Sequence, residues 1–373
     1  MEIDESTKKM MALWLVPGLG PRKIAMLIKN FKNINYIFDA SYRQLTKVEG
    51  LTDKIANDIK TILTAPQFLQ ELALIEKFRI KILGMQSRQY PASLKEIYSP
   101  PPILYHKGTI DYSKGLFIGI VGSRKASFTG KNFCKKLIQQ LAVYRKDIVI
   151  VSGLALGIDT IAHQTALENK LKTIAVLAGG LSDIYPAKNK NLASQIEKTG
   201  ALITEFPIST KPVAQNFPLR NRIISGISNG LIVIEAGEKS GALITASYAI
   251  EQNRELFAVP GPADSSFFIG TNRLIQKGHA KLIMDAADVL EELDTTFKRS
   301  IKSKKPPETS QLGNMSENEI AVIERLKAGI LSQNKLSEEL KIPIHILLGV
   351  LTALELKGFI TIKSGSMVQL LKF

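Results

Sequence analysis

Two arginines, Arg220 and Arg222, have the clearest potential for chemistry in this sequence, and they lie in the segment NFPLRNRIISG at 216–226. Asn221 lies between them, and Phe217 precedes them at the predicted beginning of a helix. A positive charge opposes the dipole at this end of a helix, so helix formation alone does not favour arginine here. An anionic ligand that accepts hydrogen bonds from both arginines and from the unpaired helix N–H groups would remove the conflict.

A second interpretation of these two arginines is structural. Arg220 and Arg222 could instead form ion pairs with Glu205 or Glu235, each of which closely follows a predicted strand. The first interpretation predicts an open anion site, and the second predicts buried pairs that stabilise the fold. The residue types alone leave both interpretations open.

Five other turns are rich in small residues, which allow a backbone to approach a phosphate closely. They are 119–129, which contains Gly122, Ser123 and Arg124; 152–159, which contains Ser152 and Gly153; 177–180; 235–246, which contains Ser240 and Gly241; and 260–273. A row of such turns beside arginines could hold a row of phosphates, as in a single-stranded nucleic acid bound by its backbone with aromatic side chains for stacking. Neither G-x-G-x-x-G nor G-x-x-x-x-G-K-[ST] occurs, which disfavours nicotinamide binding and a Walker-type ATPase.

Asp159 and His163, one helical turn apart, could form an acid–base pair. Nothing near them in the sequence supplies a nucleophile or a set of metal ligands. The favoured interpretation is that Asp159 complements the helix dipole and bonds to a local histidine. A catalytic role is therefore not expected.

Alternating strands and helices must position these turns. Strands are predicted at 116–121, 147–151, 173–178, 201–203, 231–235 and 255–259, and helices at 129–143, 158–169, 187–198, 219–227 and 241–252. Apolar strands that are linked by helical crossovers predict an α/β fold with a Rossmann-like, doubly wound and mostly parallel sheet. Ligands bind beyond the carboxyl ends of such strands, where all of the turns described above lie.

The chain is predicted to contain three domains and a linker. Residues 1–65 form a helical, helix-hairpin-helix-like or SAM-like domain, and 66–294 form the Rossmann-like domain. A basic linker at 295–314 precedes a winged-helix domain at 315–373, with helices to about 327, at 332–340 and at 343–357, and then a hairpin.

The two terminal domains each suggest a use. Segments 16–24 and 48–55 both place a Gly-Leu turn before a helix, which resembles the helix-hairpin-helix repeat that directs N–H groups at a DNA phosphate. A plain helical connection with glycine at its C-cap is the alternative. In the winged helix, the helix 343–357 offers only His345 and Lys357 to bases, which favours protein docking over duplex recognition.

Composition limits the class of partner. Lys and Arg number 49 against 34 Asp and Glu in 373 residues, and a formal charge of +15 favours nucleic acid over an anionic membrane surface. No apolar run approaches the roughly 18 residues that span a bilayer, and the first ten residues do not resemble a signal peptide. The single Cys134 excludes a disulfide framework and a multi-cysteine zinc site. We expect a cytoplasmic protein without a metal or other cofactor.

Several motifs together carry a family resemblance. They are Gly122-Ser123-Arg124, SGLALGIDTIAH at 152–163, NFPLRNRIISG at 216–226, EAGEKSGALITA at 235–246, FAVPG at 257–261 and GTNRLIQKG at 270–278. In this order they resemble the DNA-processing protein A family, also called Smf, over about 70–290. The sequence departs from the family pattern at the edge of the predicted pocket, at Asn216, the stretch 265–268 and His279.

The resemblance implies a bacterial protein of competence and natural transformation. Family members bind incoming single-stranded DNA, protect it, help to load the RecA recombinase during DNA recombination, and dimerise through the Rossmann-like domain; the resemblance does not imply an enzyme. The DNA contacts it implies are Gly122, Ser123, Arg124, Ser152, Gly153, Phe217, Arg220, Asn221, Arg222, Ser240 and Gly241.

Two other functions compete with this one. A nucleoside-monophosphate phosphoribohydrolase shares this type of sheet, but its P-G-G-x-G-T-x-x-E signature is incomplete in 235–245, and no glutamate stands three residues after Thr245. A transcription regulator would read duplex DNA with the winged helix, which is nearly neutral from 315 onward.

Overall fold

A nine-stranded mixed sheet organises the described part of residues 1–299. The computed structural model describes residues 3–297, 316–327, 329–356, 359–363 and 366–371, and the chain divides into two units, Met1–Arg299 and Ser300–Phe373. The strands of the first unit are β1 (Lys81–Gly84), β2 (Ile103–Gly108), β3 (Leu116–Val121), β4 (Ile148–Ser152), β5 (Lys172–Val176), β6 (Ala201–Thr204), β7 (Gly230–Val233), β8 (Glu255–Ala258) and β9 (Lys281–Leu282).

The order of these strands creates a switch point in the sheet. The order is β1-β2-β6-β5-β4-β3-β7-β8-β9. Within the run β6-β5-β4-β3-β7-β8-β9, each strand is parallel to the next. The chain builds from β3 to β6 in one direction and then crosses back to add β7, β8 and β9 on the other side of β3. The crevice at such a reversal is the usual ligand site of an open α/β sheet.

Helices cover both faces of the sheet. Those of the first unit are α1 (Glu5–Trp14), α2 (Pro21–Phe31), α3 (Ile34–Asp39), α4 (Tyr42–Thr46), α5 (Asp53–Thr61), α6 (Pro66–Phe78), α7 (Ala92–Lys95), α8 (Phe128–Tyr144), α9 (Ile158–Glu168), α10 (Lys190–Thr199), α11 (Asn216–Ile227), α12 (Gly241–Glu251), α13 (Ile269–Gln276) and α14 (Ala286–Leu293), with 3-10 turns at Ile62–Thr64 and Ala187–Asn189. Helices α8, α9 and α14 share a core with one face, and α7, α11 and α12 share a core with the other.

The two helices that border the switch point, α8 and α12, each begin after a serine that acts as the N-cap. Ser127 caps α8 by accepting a hydrogen bond from the Gly130 N–H, and Ser240 caps α12 by accepting from Ala242. Strand β3 is buried along its whole length, as its apolar sequence predicts for a central parallel strand. The predicted doubly wound α/β fold is therefore confirmed.

The N-terminal helices pack directly on the sheet. One hydrophobic core joins residues of α1, α2 and α5 to buried side chains of β2, β5 and β6, and the Trp14 Nε1–H donates to the Glu205 carbonyl at 2.6 Å. The expected turns are present, with Gly18 and Gly50 both at φ +79°. A domain boundary at residue 65 stays a prediction, since the helices and the sheet belong to one compact unit.

The segment before the parallel strands holds more structure than the sequence predicts. Strands β1 and β2 form an antiparallel pair, and β2 extends the sheet antiparallel to β6. The sequence predicts no strand before residue 116, because these strands are short and a run of prolines, Pro100 to Pro102, precedes β2. An antiparallel strand pair at a sheet edge needs no continuous apolar run, so its sequence pattern is weak.

The second unit contains the predicted winged helix. Its helices are α15 (Glu317–Leu326), α16 (Gln333–Leu340) and α17 (Ile344–Leu356), and its strands β10 (Leu331–Ser332), β11 (Ile360–Lys363) and β12 (Met367–Leu370) pair in the order β10-β12-β11. The predicted hairpin thus has a third, short strand. Residues 298–314 of the predicted basic linker lie outside the described residues. In the described part of the chain, no helix has the length and apolar character needed to cross a membrane.

Candidate nucleic-acid interface

An open cleft of about 830 Å³ lies at the carboxyl ends of β3 and β7, at the switch point of the sheet. Segments that follow five strands, β3 to β7, form its walls. Its lining includes Gly122, Ser123, Arg124, Lys125, Asp159, Tyr185, Pro212, Phe217, Arg220, Asn221, Lys239, Ser240 and Gly241. Eight residues of the predicted DNA-contact set are therefore brought together in one cleft.

Aromatic and cationic groups stack at the rim of this cleft. The Arg124 guanidinium lies 4.9 Å from the centroid of the Phe217 ring, and the ring of Tyr185 meets Phe217 edge-on with a centroid distance of 6.0 Å. Arg124 is exposed, while Phe217 is partly buried. The rim thus offers the planar cation of Arg124 and the exposed ring of Tyr185 to a ligand. This combination binds phosphates and stacked bases.

Arg220 forms the floor of the cleft. Its side chain is only 3% exposed, and Nη1 donates to the carbonyl oxygens of Gly153, at 2.6 Å, and of Val176. Burial lowers the pKa of Arg220 to about 10, an effect that nearby Asp159 opposes, so the group stays charged at neutral pH. A Cβ at position 153 would lie 2.4 Å from the same Nη1, so a larger residue there would displace the guanidinium.

Arg222 lies on the other side of α11, where it forms a buried ion pair. Its Nη1 and Nη2 donate to the two carboxylate oxygens of Glu205 at 2.5 and 2.7 Å, and its Nε donates to the Ser99 carbonyl at 3.0 Å. The prediction that both arginines face an open anion site is wrong for Arg222. The pairing with Glu205 that the sequence left open is the observed one.

Ser152 also lies away from the open surface. It is fully buried at the end of β4, and its hydroxyl donates to the Ile120 carbonyl at 2.6 Å. Its side chain therefore holds β4 to the central strand β3 and cannot contact a ligand in the cleft. The prediction of direct DNA contact is corrected for this side chain, whereas Gly153 lines a recess of about 60 Å³ beside the cleft.

Asp159 and His163 do not form a pair with each other. Asp159 accepts hydrogen bonds from the N–H groups of Gly153 and Ala155 at 3.1 and 3.3 Å, while His163 Nδ1 lies 2.7 Å from the Thr173 hydroxyl. Burial raises the pKa of Asp159, against the effect of Arg220, and burial lowers the pKa of His163 to about 3. Asp159 lies in the first turn of α9, where it complements the helix dipole as predicted, but the predicted bond to His163 is wrong.

Two glutamates near the cleft are bound to other protein groups. The Glu235 carboxylate accepts from the Ser127 N–H at 3.0 Å and from the Ser127 hydroxyl at 2.7 Å, which fixes the first turn of α8. Glu238 forms an ion pair with Arg273 at the surface. Among the described residues, no group of three or more His, Cys, Asp or Glu side chains is arranged to hold a metal ion.

The paired glycines at 179 and 180 serve close backbone packing. The Gly180 N–H donates to the Thr210 carbonyl at 2.8 Å, and a Cβ on Gly180 would lie 2.0 Å from the Ile208 carbonyl oxygen. The same segment forms one wall of the recess beside Phe217. Close packing against the backbone of residues 207–212 explains both glycines, without a ligand.

Among the cleft-lining residues that sequence reasoning missed are three with a basic or aromatic side chain, Lys125, Lys239 and Tyr185. Each one lies in or beside a turn that was already singled out, so the available signal was its position after a strand rather than its residue type. With Arg124 and Arg220, the two lysines place four cationic side chains around one opening. The contacts predicted for the remaining cleft residues stay predictions.

The comparisons with known proteins agree with this arrangement. The family model of DNA recombination-mediator protein A matches residues 81–294, which is more than half of the chain and includes the whole parallel sheet. The chain belongs to this family. The model of the DprA winged helix domain matches residues 303–366.

Individual members of the DprA family are similar over most of their length. The DNA processing protein DprA of Bacillus subtilis is 46% identical over 229 residues, which cover 61% of this chain and 76% of the relative. Protein Smf of Synechocystis is 36% identical over 325 residues, which cover 84% of this chain and 80% of the relative.

Two solved DprA structures share the fold. That of DNA processing protein A from Streptococcus pneumoniae aligns with a TM-score of 0.69 at 33% identity and covers 79% of this chain and 99% of its own. That of the Helicobacter pylori protein, reported for its single-stranded DNA binding mode, aligns with a TM-score of 0.53 at 28% identity and covers 59% of this chain and 99% of its own.

Proposed function

We propose that this DprA-family chain binds single-stranded DNA in the cleft at the switch point and acts as a recombination mediator in natural transformation. The observation that carries the proposal is the cleft itself, where Arg124, Lys125, Arg220 and Lys239 surround an opening of about 830 Å³. A single nucleotide needs one phosphate-binding turn, whereas this cleft is lined by segments that follow five strands and is open to solvent. A continuous strand can enter and leave such a cleft.

Each part of the cleft has a role in this proposal. Arg124, Lys125 and Lys239 neutralise phosphates, and the first residues of α12, which begins at Gly241, line the same opening, where the helix dipole favours an anion. Tyr185 offers a half-exposed ring for base stacking beside the Arg124–Phe217 stack. Contacts of these kinds do not depend on base identity, so binding is tolerant of sequence.

The relatives support this proposal. The Helicobacter pylori protein binds single-stranded DNA, and the Bacillus subtilis and Streptococcus pneumoniae relatives are named DNA processing proteins. The family model that this chain matches over residues 81–294 spans every turn around the cleft. We therefore extend the same ligand class to this cleft.

Binding without catalysis is part of the proposal. The carboxylates closest to the opening already serve the fold: Asp159 accepts from backbone N–H groups, Glu235 accepts from Ser127, the N-cap of α8, and Glu238 pairs with Arg273. A phosphoribohydrolase would need a glutamate at the position of Tyr248. We expect no release of base from nucleoside monophosphates and no Mg²⁺-dependent hydrolysis of ATP, and turnover that disappears in Glu235→Gln would contradict this.

We further propose that the protein acts in the cytoplasm as a homodimer that helps RecA to load on the bound strand, as the family resemblance implies. A feature that supports dimerisation is the short edge strand β9, where Leu282 is 46% exposed and the following Met284 is 70% exposed. Light scattering after gel filtration should give twice the chain mass, and Met284→Asp should halve it. Faster RecA assembly on DNA coated with single-strand-binding protein would support loading, and an unchanged rate would count against it.

The binding proposal is tested by fluorescence anisotropy with a labelled oligothymidylate, and with duplex DNA and mononucleotides as competitors. Because phosphate neutralisation releases about 0.7 counterion per contact on single strands, we expect a log–log salt slope of about −3 to −5. Weak competition by nucleotides is also expected. A slope near zero, or tight nucleotide binding with weak DNA binding, would contradict the proposal.

A matched arginine variant makes this test specific. Arg88 is exposed in the loop after β1, and β1 is five strands away from β3, roughly 24 Å at the usual strand spacing. Arg88→Ala therefore removes the same charge as Arg124→Ala at a distant place. Only Arg124→Ala should weaken binding if the cleft is the site.

A further inference from the structure

A long stretch of this chain carries no acidic residue. Between Asp111 and Asp147 there are 35 residues with eight Lys or Arg and no Asp or Glu, whereas the chain average would give about three. The stretch contains the first turn of the cleft and the whole of helix α8. Its positive charge therefore extends beyond the cleft along one helix.

The outer side of α8 presents this charge together with an aromatic ring. Phe128 is 77% exposed, and Lys131, Asn132, Lys135 and Lys136 are exposed beside it. Positions three, four and seven residues after Phe128 lie on its side of the helix, so Phe128, Lys131, Asn132 and Lys135 form one surface, the basic face of α8, and Lys136 borders it. Within the described part of the chain, none of its lysines forms a salt bridge.

The basic face is continuous with the cleft. Lys125 lines the cleft, and Phe128 follows three residues later as the first residue of α8. The turn between them is fixed, because Ser127 bonds both to Glu235 and to the Gly130 N–H. From Phe128 to Lys135 the helix rises about 10 Å away from the rim at 1.5 Å per residue.

We propose that the basic face of α8 is a second binding segment for the same DNA strand, which leaves the cleft over Lys125, stacks a base on Phe128 and passes its phosphates along Lys131 and Lys135. The inference rests on the proposed function of the cleft. An exposed aromatic ring followed by lysines at helical spacing matches a single strand, which offers both unstacked bases and phosphates. An acidic protein surface would use the lysines but gives no reason for the ring.

The experiment compares two lengths of labelled oligothymidylate, about 5 and about 20 nucleotides, which bracket the site sizes common for single-strand-binding folds. The variants are Phe128→Ala and the double variant Lys131→Gln/Lys135→Gln. The matched controls are Tyr98→Ala, which removes another highly exposed aromatic ring, and Lys146→Gln, which lies just beyond the opposite end of α8. Circular dichroism and thermal melting establish that each variant is folded.

For the long oligonucleotide, Phe128→Ala should weaken binding about 5- to 100-fold, the range expected for one stacked base. The double lysine variant should make the salt slope shallower by about 1.4, since each phosphate contact contributes about 0.7. The short oligonucleotide should bind both variants as it binds the unaltered protein. Both control variants should match the unaltered protein at each length.

Three outcomes would overturn the inference while leaving the cleft proposal intact. They are normal binding of the long oligonucleotide by both variants, equal losses at both lengths, and unaltered protein that binds the two lengths with equal affinity. Normal DNA binding by the variants would instead favour an acidic protein as the partner of the basic face. If the unaltered protein binds neither length, the proposed function itself fails, and this result is distinct from the other three.

Discussion

The two sides of helix α11 use the same residue type for opposite purposes. Arg220 lies in the floor of the cleft and donates to two backbone carbonyl oxygens, and it faces no carboxylate within ion-pair distance in the described structure. Arg222 is held by both oxygens of Glu205 and by the Ser99 carbonyl. One side chain adds positive potential to an open site, and the charge of the other is neutralised inside the fold.

Helix geometry explains the difference. Residues two positions apart are rotated by about 200° around the helix axis, so Arg220 and Arg222 necessarily point in nearly opposite directions. A cluster of arginines in a sequence is therefore not a cluster in space unless its spacing is three or four. The pair of arginines in 216–226, the strongest sequence signal in this chain, therefore combines one cleft residue, Arg220, with one structural residue, Arg222.

The largest effect is expected from Arg222→Ala. Its removal leaves Glu205 buried without its partner, which should lower the free energy of unfolding by about 3–5 kcal/mol. Urea denaturation followed by circular dichroism measures this loss. The protein that remains folded should still bind single-stranded DNA with normal affinity, because Arg222 does not line the cleft.

A second substitution controls for this result. Glu205→Gln in the Arg222→Ala background removes the unpaired charge and should recover part of the lost stability. Normal stability with a large loss of DNA affinity in Arg222→Ala would contradict the division between the two sides of α11.

Arg220→Ala should affect both stability and binding. The carbonyl oxygens of Gly153 and Val176 lose their donor, and Asp159 loses the nearest buried cation, so we expect a loss of about 1–3 kcal/mol in the free energy of unfolding. Affinity for single-stranded DNA should also fall by about tenfold or more. Anisotropy titration at a temperature well below the melting midpoint separates the two effects.

If Arg220→Ala lowered the stability but left the affinity for single-stranded DNA unchanged, both sides of α11 would serve the fold. In that case Arg220 would be a structural residue like Arg222, and the positive charge of the site would come from the rim. Arg220→Lys is informative here, because lysine keeps the charge but lacks the planar arrangement of donors. Retained affinity with lower stability in that variant would favour the structural role.

Much of the fold follows from the sequence because the central strands are buried on both faces. The predicted strand 116–121 coincides with β3, and the other predicted strands lie within two residues of the observed ones. The β1–β2 pair at the edge was missed because it lacks a continuous apolar run. Patterns of burial therefore predict the centre of a sheet better than its edge.

The candidate site was predictable to the level of turns but not of individual side chains. Small residues after each strand located the cleft correctly, since the topology brings those turns together. Three details depend on tertiary contacts that no local pattern reports: the pairing of Arg222, the burial of Ser152, and the contact of His163 with Thr173. Lys125 and Lys239 were missed because an exposed lysine in a basic protein carries no distinctive signal.

Arg124→Ala tests the exposed rim against the buried floor. Arg124 contacts the Phe217 ring, and no ion pair or hydrogen bond of its side chain is seen in the described residues, so stability should change by no more than about 0.5 kcal/mol. Loss of one charge-assisted phosphate contact should weaken single-strand binding by about tenfold, equally for every base composition. A variant that melts early would show that the rim arginine is structural as well.

The smallest effect is expected from the two lysines of the rim. Lys125→Gln and Lys239→Gln remove charges that are exposed and line the cleft, so each should lower affinity only a few-fold and make the salt slope shallower by about 0.7. Affinity measured at four or more salt concentrations gives that slope, and Lys146→Gln is the matched control. Since a screened surface charge contributes little to folding, the melting temperature should stay unchanged in all three variants. If the rim lysines leave the slope unchanged while Arg124→Ala reduces it, the strand follows only the arginine side of the cleft, and the path over Lys125 toward α8 would also have to be abandoned.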